Sequence, residues 1–204
     1  MSKPETGRVE AFSDGVFAVV ITLLILDLKV PGEKEVNGNL NLFRILAYQW
    51  PAFLAFVTSF ITILFIWLNH HMVLRLIQLN DGNFMLINGL LLLFITLLPF
   101  STAVLAEHLG HSGSKDAIIF YNGSLFAVAC VFQFFWRYAI KNERLLGPEQ
   151  DQLAITRINK QFKIGFILYS IAFLISFFMP IISLSLSVFL AAYFTAVGIL
   201  SKHQ

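Results

Sequence analysis

Long apolar stretches separated by short polar segments dominate this sequence. A helix needs about 20 mostly apolar residues to cross the hydrocarbon core of a bilayer. The chain has 204 residues, of which 57% are hydrophobic and 13% are charged, whereas soluble domains carry about 25% charged residues. The pattern therefore predicts an integral membrane protein that forms one domain over residues 1–204.

Six segments have the length and composition expected of membrane-spanning helices. Their approximate bounds are 9–29, 48–74, 83–107, 117–140, 162–181 and 183–201. Pro180 and Ser183 predict a tight hairpin between the last two segments, and one kinked helix is the alternative. The sequence thus predicts an all-α membrane protein with six transmembrane helices.

The positive charges of the loops predict how these helices are oriented. Ten lysine and arginine residues lie on the side that holds both termini, and four lie on the other side. Because cytoplasmic loops carry an excess of positive charge, both termini are predicted to be cytoplasmic in a multi-pass protein of the prokaryotic plasma membrane. The loops are too short to fold into a catalytic domain, so the function is expected to lie in the helices.

Several classes of function lack their sequence signals. The net charge is only +2 and no basic stripe is present, so no nucleic-acid partner is expected. The chain has no G-x-S-x-G, no P-loop and no paired catalytic carboxylates, so neither an enzyme nor a cofactor is expected. His70 and His71 point about 100° apart on a helix, so no metal site is predicted. Cys130 lies in an apolar run and is interpreted as a packing residue.

Polar side chains inside the apolar segments are concentrated at the cytoplasmic ends of the first two segments. Asp14 and His70 both lie about 8–9 Å from the inner boundary at about 1.5 Å rise per residue. Arg8 is about 120° around the helix from Asp14, so a neighbouring helix would have to bridge them. The spacing leaves two interpretations open: a buried Arg8–His70–Asp14 network, or a His70 that caps its helix near the headgroups.

One face of the first segment carries a regular stripe of side chains. Val19, Thr22, Leu23 and Leu26 share this face because they are spaced by three or four residues, and Gly15 extends it towards the cytoplasm. Packing against other helices is the commoner role of such a stripe. The alternative is a pore face with apolar constrictions and one ring of hydroxyls, which requires an oligomer because one helix cannot enclose a pore.

The start of the first segment resembles a family motif. Residues 8–15 match the R-x-x-x-F-S-D-G pattern that opens the first helix of the transmembrane protein 175 family, which comprises endosomal and lysosomal potassium channels and their prokaryotic relatives. The similarity continues into the apolar run that follows and to the W-x-x-H pattern at residues 67–70. The motif occurs once, whereas animal members carry two six-helix repeats. The chain is therefore similar to the single-repeat prokaryotic form, for which the family implies a homotetramer.

The resemblance implies a role for particular residues. It implies a pore lined by four copies of the first helix, with apolar constrictions at Val19, Leu23 and Leu26 and a potassium-favouring layer at Thr22. It also implies a structural network that contains Arg8, Phe12, Ser13, Asp14 and His70. Many relatives have isoleucine or leucine at the position of Val19, so a wider constriction is expected here.

The expected function is passive K⁺ conduction, as in a leak channel, without the TVGYG filter loop of common potassium channels. Asp27 would either concentrate cations at the outer mouth or be a solvated carboxylate. One rival is a proton-coupled secondary transporter that uses Asp14 and His70. No helix is visibly broken in mid-membrane and no internal repeat is evident in the sequence, which argues against this rival. Another rival is a non-conducting membrane scaffold or enzyme subunit.

Overall fold

The structure is a computed structural model that describes residues 6–31, 41–79, 81–141, 145–146 and 152–200. In these ranges the chain is α-helical, and a single β-bridge pairs Ile77 with Leu146. The helices are α1 (Thr6–Leu23), α2 (Leu42–Tyr48), α3 (Trp50–Leu76), α4 (Gly82–Thr96), α5 (Leu98–His108), α6 (Ser114–Ile140), α7 (Gln152–Ser176) and α8 (Pro180–Leu200).

Five segments of the described chain are long and apolar enough to cross a membrane. They are Thr6–Asp27, Trp50–Leu76, Gly82–His108, Ser114–Ile140 and Ile155–Ser176. A further apolar stretch, Pro180–Phe194, is shorter. The all-α class is therefore confirmed, whereas the count of six spans and the side of the membrane that holds the termini stay predictions.

Helix α1 has one buried face and one exposed face. Its buried residues, which recur every three or four positions, are Val9, Ser13, Phe17 and Val20. This spacing matches the 3.6-residue period of an α-helix, and the buried face packs against α3 and α4. Beyond α1 the chain tightens into a 3₁₀ turn over Leu24–Asp27, which packs against α3 and α5.

The third apolar segment consists of two helices. Helix α4 ends at Thr96 and α5 begins at Leu98, and Leu97 between them keeps helical angles of φ −78° and ψ −20°. Pro99 causes the interruption, because it has no N–H to donate and its ring clashes with the carbonyl of Ile95 in a regular helix. Gly82–His108 still forms one segment long and apolar enough to cross a membrane, so the absence of a helix broken in mid-membrane stays a prediction.

The hairpin between α7 and α8 lies earlier than its predicted position. Its turn occupies residues 177–179, and Pro180 is the first residue of α8. Proline suits this position because the first N–H groups of a helix have no partner within the helix. Helix α7 also begins at Gln152, well before the predicted start at 162.

Helix α6 packs against α4, α5, α7 and α8. Its polar side chains bond to these and other helices. Asn122 Nδ2 donates to Ser183 Oγ at 2.6 Å, and Ser187 Oγ donates to Asn122 Oδ1 at 2.7 Å. Tyr121 Oη lies 3.0 Å from Ser59 Oγ of α3. Hydrogen bonds of this kind hold helices together where no water is available, so α6 supports the arrangement of α3 and α4 around α1.

Candidate functional site

A buried chain of hydrogen bonds connects α1 with α3 and α4. His70 Nε2 lies 2.8 Å from Asn88 Oδ1, and Asn88 Nδ2 donates to Ser13 Oγ at 3.0 Å. Ser13 Oγ in turn donates to the Val9 carbonyl at 2.8 Å. Since Asn88 Oδ1 is an acceptor, the ring hydrogen of His70 lies on Nε2. We call His70, Asn88 and Ser13 the anchor.

Aromatic rings fix the orientation of His70. Its ring centroid lies 5.4 Å from that of Phe17 and 5.5 Å from that of Phe135, with an interplanar angle of only 14° to the latter. Its exposed fraction is 0%. His70 therefore joins helices in the interior, and the alternative in which it caps its helix near the headgroups was wrong.

Asp14 is held by a different partner. Trp67 Nε1 donates to Asp14 Oδ1 at 2.8 Å, which joins α1 to α3 one helical turn from His70. Asp14 and His70 therefore lie close together between α1 and α3, as their predicted depths indicated. Asp14 is hydrogen-bonded to Trp67 and His70 to Asn88. The place of Arg8 in this network stays a prediction. Phe12 lies on the other side of α1 and is 66% exposed.

The sequence analysis missed Asn88 and Glu10. Asn88 lies six residues after the start of α4 at Gly82, and His70 lies six residues before the end of α3 at Leu76. Asn88 and His70 are therefore expected at a similar depth in adjacent helices, and this similarity could have predicted their contact. Glu10 precedes Asp14 by four residues, so the two carboxylates share one face of α1.

The predicted pore stripe lies on the exposed face of α1 and its 3₁₀ extension. Val19 is 57% exposed, Leu23 42% and Leu26 73%. Thr22 is also exposed, and its Oγ1 donates to the backbone carbonyls of Ala18 at 3.1 Å and Val19 at 2.8 Å. The hydroxyl hydrogen is therefore used within the helix, and the oxygen lone pairs are what Thr22 offers to a ligand.

A polar cavity of about 340 Å³ lies at the opposite end of α1 from the anchor. Asp27 is among its lining residues, together with Lys29, Glu107 and His111. Lys29 Nζ lies 2.7 Å from Glu107 Oε2, and this hydrogen bond raises the pKa of Lys29. The surroundings of Asp27 therefore carry both signs of charge.

Comparisons with known proteins agree with the resemblance of the motif. Residues 8–99 match the family model for the endosomal/lysosomal potassium channel TMEM175. The chain is 45% identical to a potassium channel of Chamaesiphon minutus over 93% of each protein. It is 37% identical to a potassium channel of Streptomyces collinus over 93% of this chain and 91% of the relative.

The fold is also similar to a solved structure. The crystal structure of a lysosomal potassium-selective channel TMEM175 homolog from Chamaesiphon minutus superimposes with a TM-score of 0.86. The two proteins are 42% identical, and the match covers 95% of this chain and 98% of the other. The similarity therefore extends from the motif at residues 8–15 to the arrangement of the helices.

Proposed function

The chain belongs to the TMEM175 family, and from this premise we propose that it is a potassium-permeable cation channel of the prokaryotic plasma membrane. Its relatives in two bacteria are named potassium channels and match over 93% of this chain. We propose that four copies assemble as a homotetramer and that K⁺ moves passively down its electrochemical gradient through a central pore.

The exposed face of α1 is the observation that carries the proposal. The face opposite the anchor combines the stripe with three small residues, Ala11, Gly15 and Ala18, all of which are exposed. Small residues allow transmembrane helices to approach each other closely. A face with small residues at one end and a hydroxyl among apolar side chains suits a symmetric contact around a pore better than a purely lipid-facing surface.

The mechanism follows from the chemistry of the stripe. In a tetramer, Val19, Leu23 and Leu26 would each form an apolar ring that restricts flow through narrow diameter and dewetting. The oxygen atoms of four Thr22 side chains would replace part of the hydration shell of K⁺ between these rings. Selectivity would be modest, because side-chain hydroxyls replace the dense cage of carbonyl oxygens found in TVGYG filters.

The anchor and the Trp67–Asp14 bond would set the direction in which the stripe faces. They hold the buried side of α1 against two helices, so the exposed side is left for the pore axis. This use of Asp14 and His70 as structural groups favours a channel over the proton-coupled transporter, which needs both groups to exchange protons with water. His70 is fully buried, stacked on Phe135 and in contact with the tilted ring of Phe17.

Single-channel recording in planar bilayers tests the proposal. We expect discrete K⁺ currents whose amplitude increases in Val19→Ala, because the smaller side chain widens the apolar ring that Val19 forms. Val57→Ala is a matched control, since Val57 is 48% exposed on α3 and lies outside the stripe. Slow, saturable K⁺ uptake without unitary currents would contradict the channel, and a monomeric mass in detergent or nanodiscs would contradict the pore.

A further inference from the structure

A cluster of ionisable side chains lies beside the anchor and takes no part in it. Glu10, Asp14 and His71 each offer one ligand atom, and these atoms lie within 4.8 Å of one another. His71 Nδ1 lies 2.9 Å from Glu10 Oε1. All three residues are partly buried. The cluster bridges α1 and α3 at the level of the Trp67–Asp14 bond.

The spacing of residues on both helices produces this cluster. Glu10 and Asp14 are four residues apart on α1, and Trp67 and His71 are four residues apart on α3, so each pair shares one face of its helix. The Trp67 ring stacks on His71 with centroids 5.9 Å apart and an interplanar angle of 24°. The same indole donates its N–H to Asp14 Oδ1, so Trp67 orients one member of the cluster on each helix.

The charges of the cluster favour a bound cation. Two carboxylates four residues apart on a helix repel each other, and partial burial increases the repulsion because the local dielectric constant is lower than that of water. A divalent cation would compensate both negative charges and would use the three ligand atoms together.

We propose that Glu10, Asp14 and His71 bind a divalent first-row transition-metal ion, with Zn²⁺ as the best match. Zn²⁺ binds both imidazole nitrogen and carboxylate oxygen, and a site with three protein ligands leaves the fourth coordination position for water. Mg²⁺ and Ca²⁺ are held by oxygen ligands alone, so the imidazole discriminates against them. The proposal departs from the expectation of no metal site. It does not use His70 and His71 together, since His70 Nε2 lies 2.8 Å from Asn88 Oδ1.

The present geometry needs only small adjustments to accept the ion. Zinc bonds of about 2.0–2.1 Å in a tetrahedral site place ligand atoms about 3.4 Å apart. Glu10 Oε1 and His71 Nδ1 are 2.9 Å apart, and all three ligand atoms lie within 4.8 Å of one another, so side-chain rotations suffice. The Trp67 N–H on Asp14 Oδ1 leaves Oδ2 for the metal, as groups around metal sites commonly orient the ligands.

Calorimetric titration of the tag-free, chelator-treated protein tests the inference without reference to ion conduction. We expect one Zn²⁺ per chain, no comparable binding of Mg²⁺ or Ca²⁺, and a higher melting temperature in Zn²⁺. Glu10→Gln and His71→Gln should each weaken Zn²⁺ binding by at least about tenfold. His111→Gln is the control, because His111 is an exposed histidine outside the cluster and should bind Zn²⁺ as the unmodified protein does.

Co²⁺ absorption of the unmodified protein provides a second measurement that does not depend on variants. Four- or five-coordinate Co²⁺ with nitrogen and oxygen ligands absorbs far more strongly in the visible range than hexa-aqua Co²⁺, and Zn²⁺ should displace it. A spectrum identical to that of free Co²⁺, or Zn²⁺ binding that is unchanged in His71→Gln, would overturn the inference. Because neither readout uses K⁺ flux, the metal site and the proposed channel succeed or fail separately.

Discussion

Trp67 Nε1 and Asp14 Oδ1 are joined by a 2.8 Å hydrogen bond that connects α3 to α1. The anchor connects the same part of α1 to α4 through Ser13 and Asn88. Neighbouring residues of α1 are therefore held by two different helices. Two attachments in different directions restrict rotation of α1 about its axis, which one attachment alone would allow.

Trp67→Phe should destabilise the protein and retain most of the apolar packing of this side chain. A hydrogen bond to a charged group contributes about 1.5–3 kcal/mol, so a clear fall in melting temperature is expected. Trp50→Phe is the matched control, because Trp50 is 56% exposed. Thermal loss of the monodisperse gel-filtration peak is the suitable measurement, since the substitution alters tryptophan fluorescence. Equal melting temperatures for the two variants would contradict a stabilising role for the bond.

Asn88→Ala should be more disruptive than Asn83→Ala on the same helix. The first substitution removes the described partner of His70 Nε2, at a cost of about 1–3 kcal/mol for a buried group left unsatisfied, whereas Ser13 Oγ keeps its bond to the Val9 carbonyl. Asn83 is exposed, so its replacement should have little effect. Stability in detergent against heat or denaturant measures the difference.

A double-mutant cycle isolates the bond between Asn88 and Ser13. Residues in direct contact within one network give coupling energies of about 0.5–3 kcal/mol, so Asn88→Ala and Ser13→Ala should be clearly non-additive. Additive effects would mean that the two side chains do not stabilise each other.

The sequence predicted that Val19, Thr22, Leu23 and Leu26 share one face of α1, but it predicted neither whether that face is exposed nor the connections of the anchor. The 3.6-residue period alone separates Ser13 and Phe17 from Val19 and Leu26, because it reflects the geometry of the helix itself. The link from His70 to Asn88 depends instead on which helices are neighbours. A single asparagine in an apolar run is compatible with several partners, and only tertiary packing selects one.

Thr22→Val should lower the K⁺/Na⁺ permeability ratio several-fold while the channel still assembles. Valine has nearly the shape of threonine and lacks the oxygen that would replace water around K⁺. Thr96→Val is the control, because Thr96 is also exposed and also donates to the backbone, at 2.8 Å from the Leu93 carbonyl. Reversal potentials under bi-ionic conditions measure the ratio. An unchanged ratio in Thr22→Val would place the selective step elsewhere.

Gly110→Ala should destabilise the protein, whereas Gly89→Ala should not. Neither glycine has an atom within 4 Å of an added Cβ, but Gly110 has φ of +89°. A side chain in this left-handed region costs about 1–2 kcal/mol. Gly89 lies within α4, where alanine is favoured over glycine by about 1 kcal/mol. The melting temperatures should therefore shift in opposite directions, and a fall of equal size in both would contradict the backbone explanation.

Glu107→Gln should return the pKa of Lys29 towards its ordinary value of 10.5, because the hydrogen bond and charge of Glu107 raise it. A cation whose pKa is raised by folding adds stability below its unfolded pKa, and this contribution is lost as the pH rises through the folded pKa. The contribution of Lys29 should therefore be present at neutral pH and be lost in strong alkali, where Lys29 is neutral. Side-chain NMR of labelled lysine follows the titration, and an identical Lys29 curve in the variant would contradict the pairing.

The break at Pro99 and the 3₁₀ turn after Leu23 illustrate different limits of sequence reasoning. A proline indicates that a helix could be interrupted, yet many transmembrane helices contain a proline and show only a kink. The separation of α4 from α5 was therefore missed. The tightening over Leu24–Asp27 has no local signal at all, because these residues suit a regular helix. It is imposed where the end of α1 packs against α3 and α5.

Because the anchor and the Trp67–Asp14 bond fix the rotation of α1 about its axis, the number of residues between the anchor and the stripe determines the direction in which the stripe faces. Each residue added to an α-helix turns everything beyond it by about 100°. One residue inserted between Asp14 and Val19 would direct the stripe sideways even though every side chain was retained, whereas an insertion of seven residues would nearly restore its direction. Related sequences should accordingly vary in the identity of these residues far more readily than in their number.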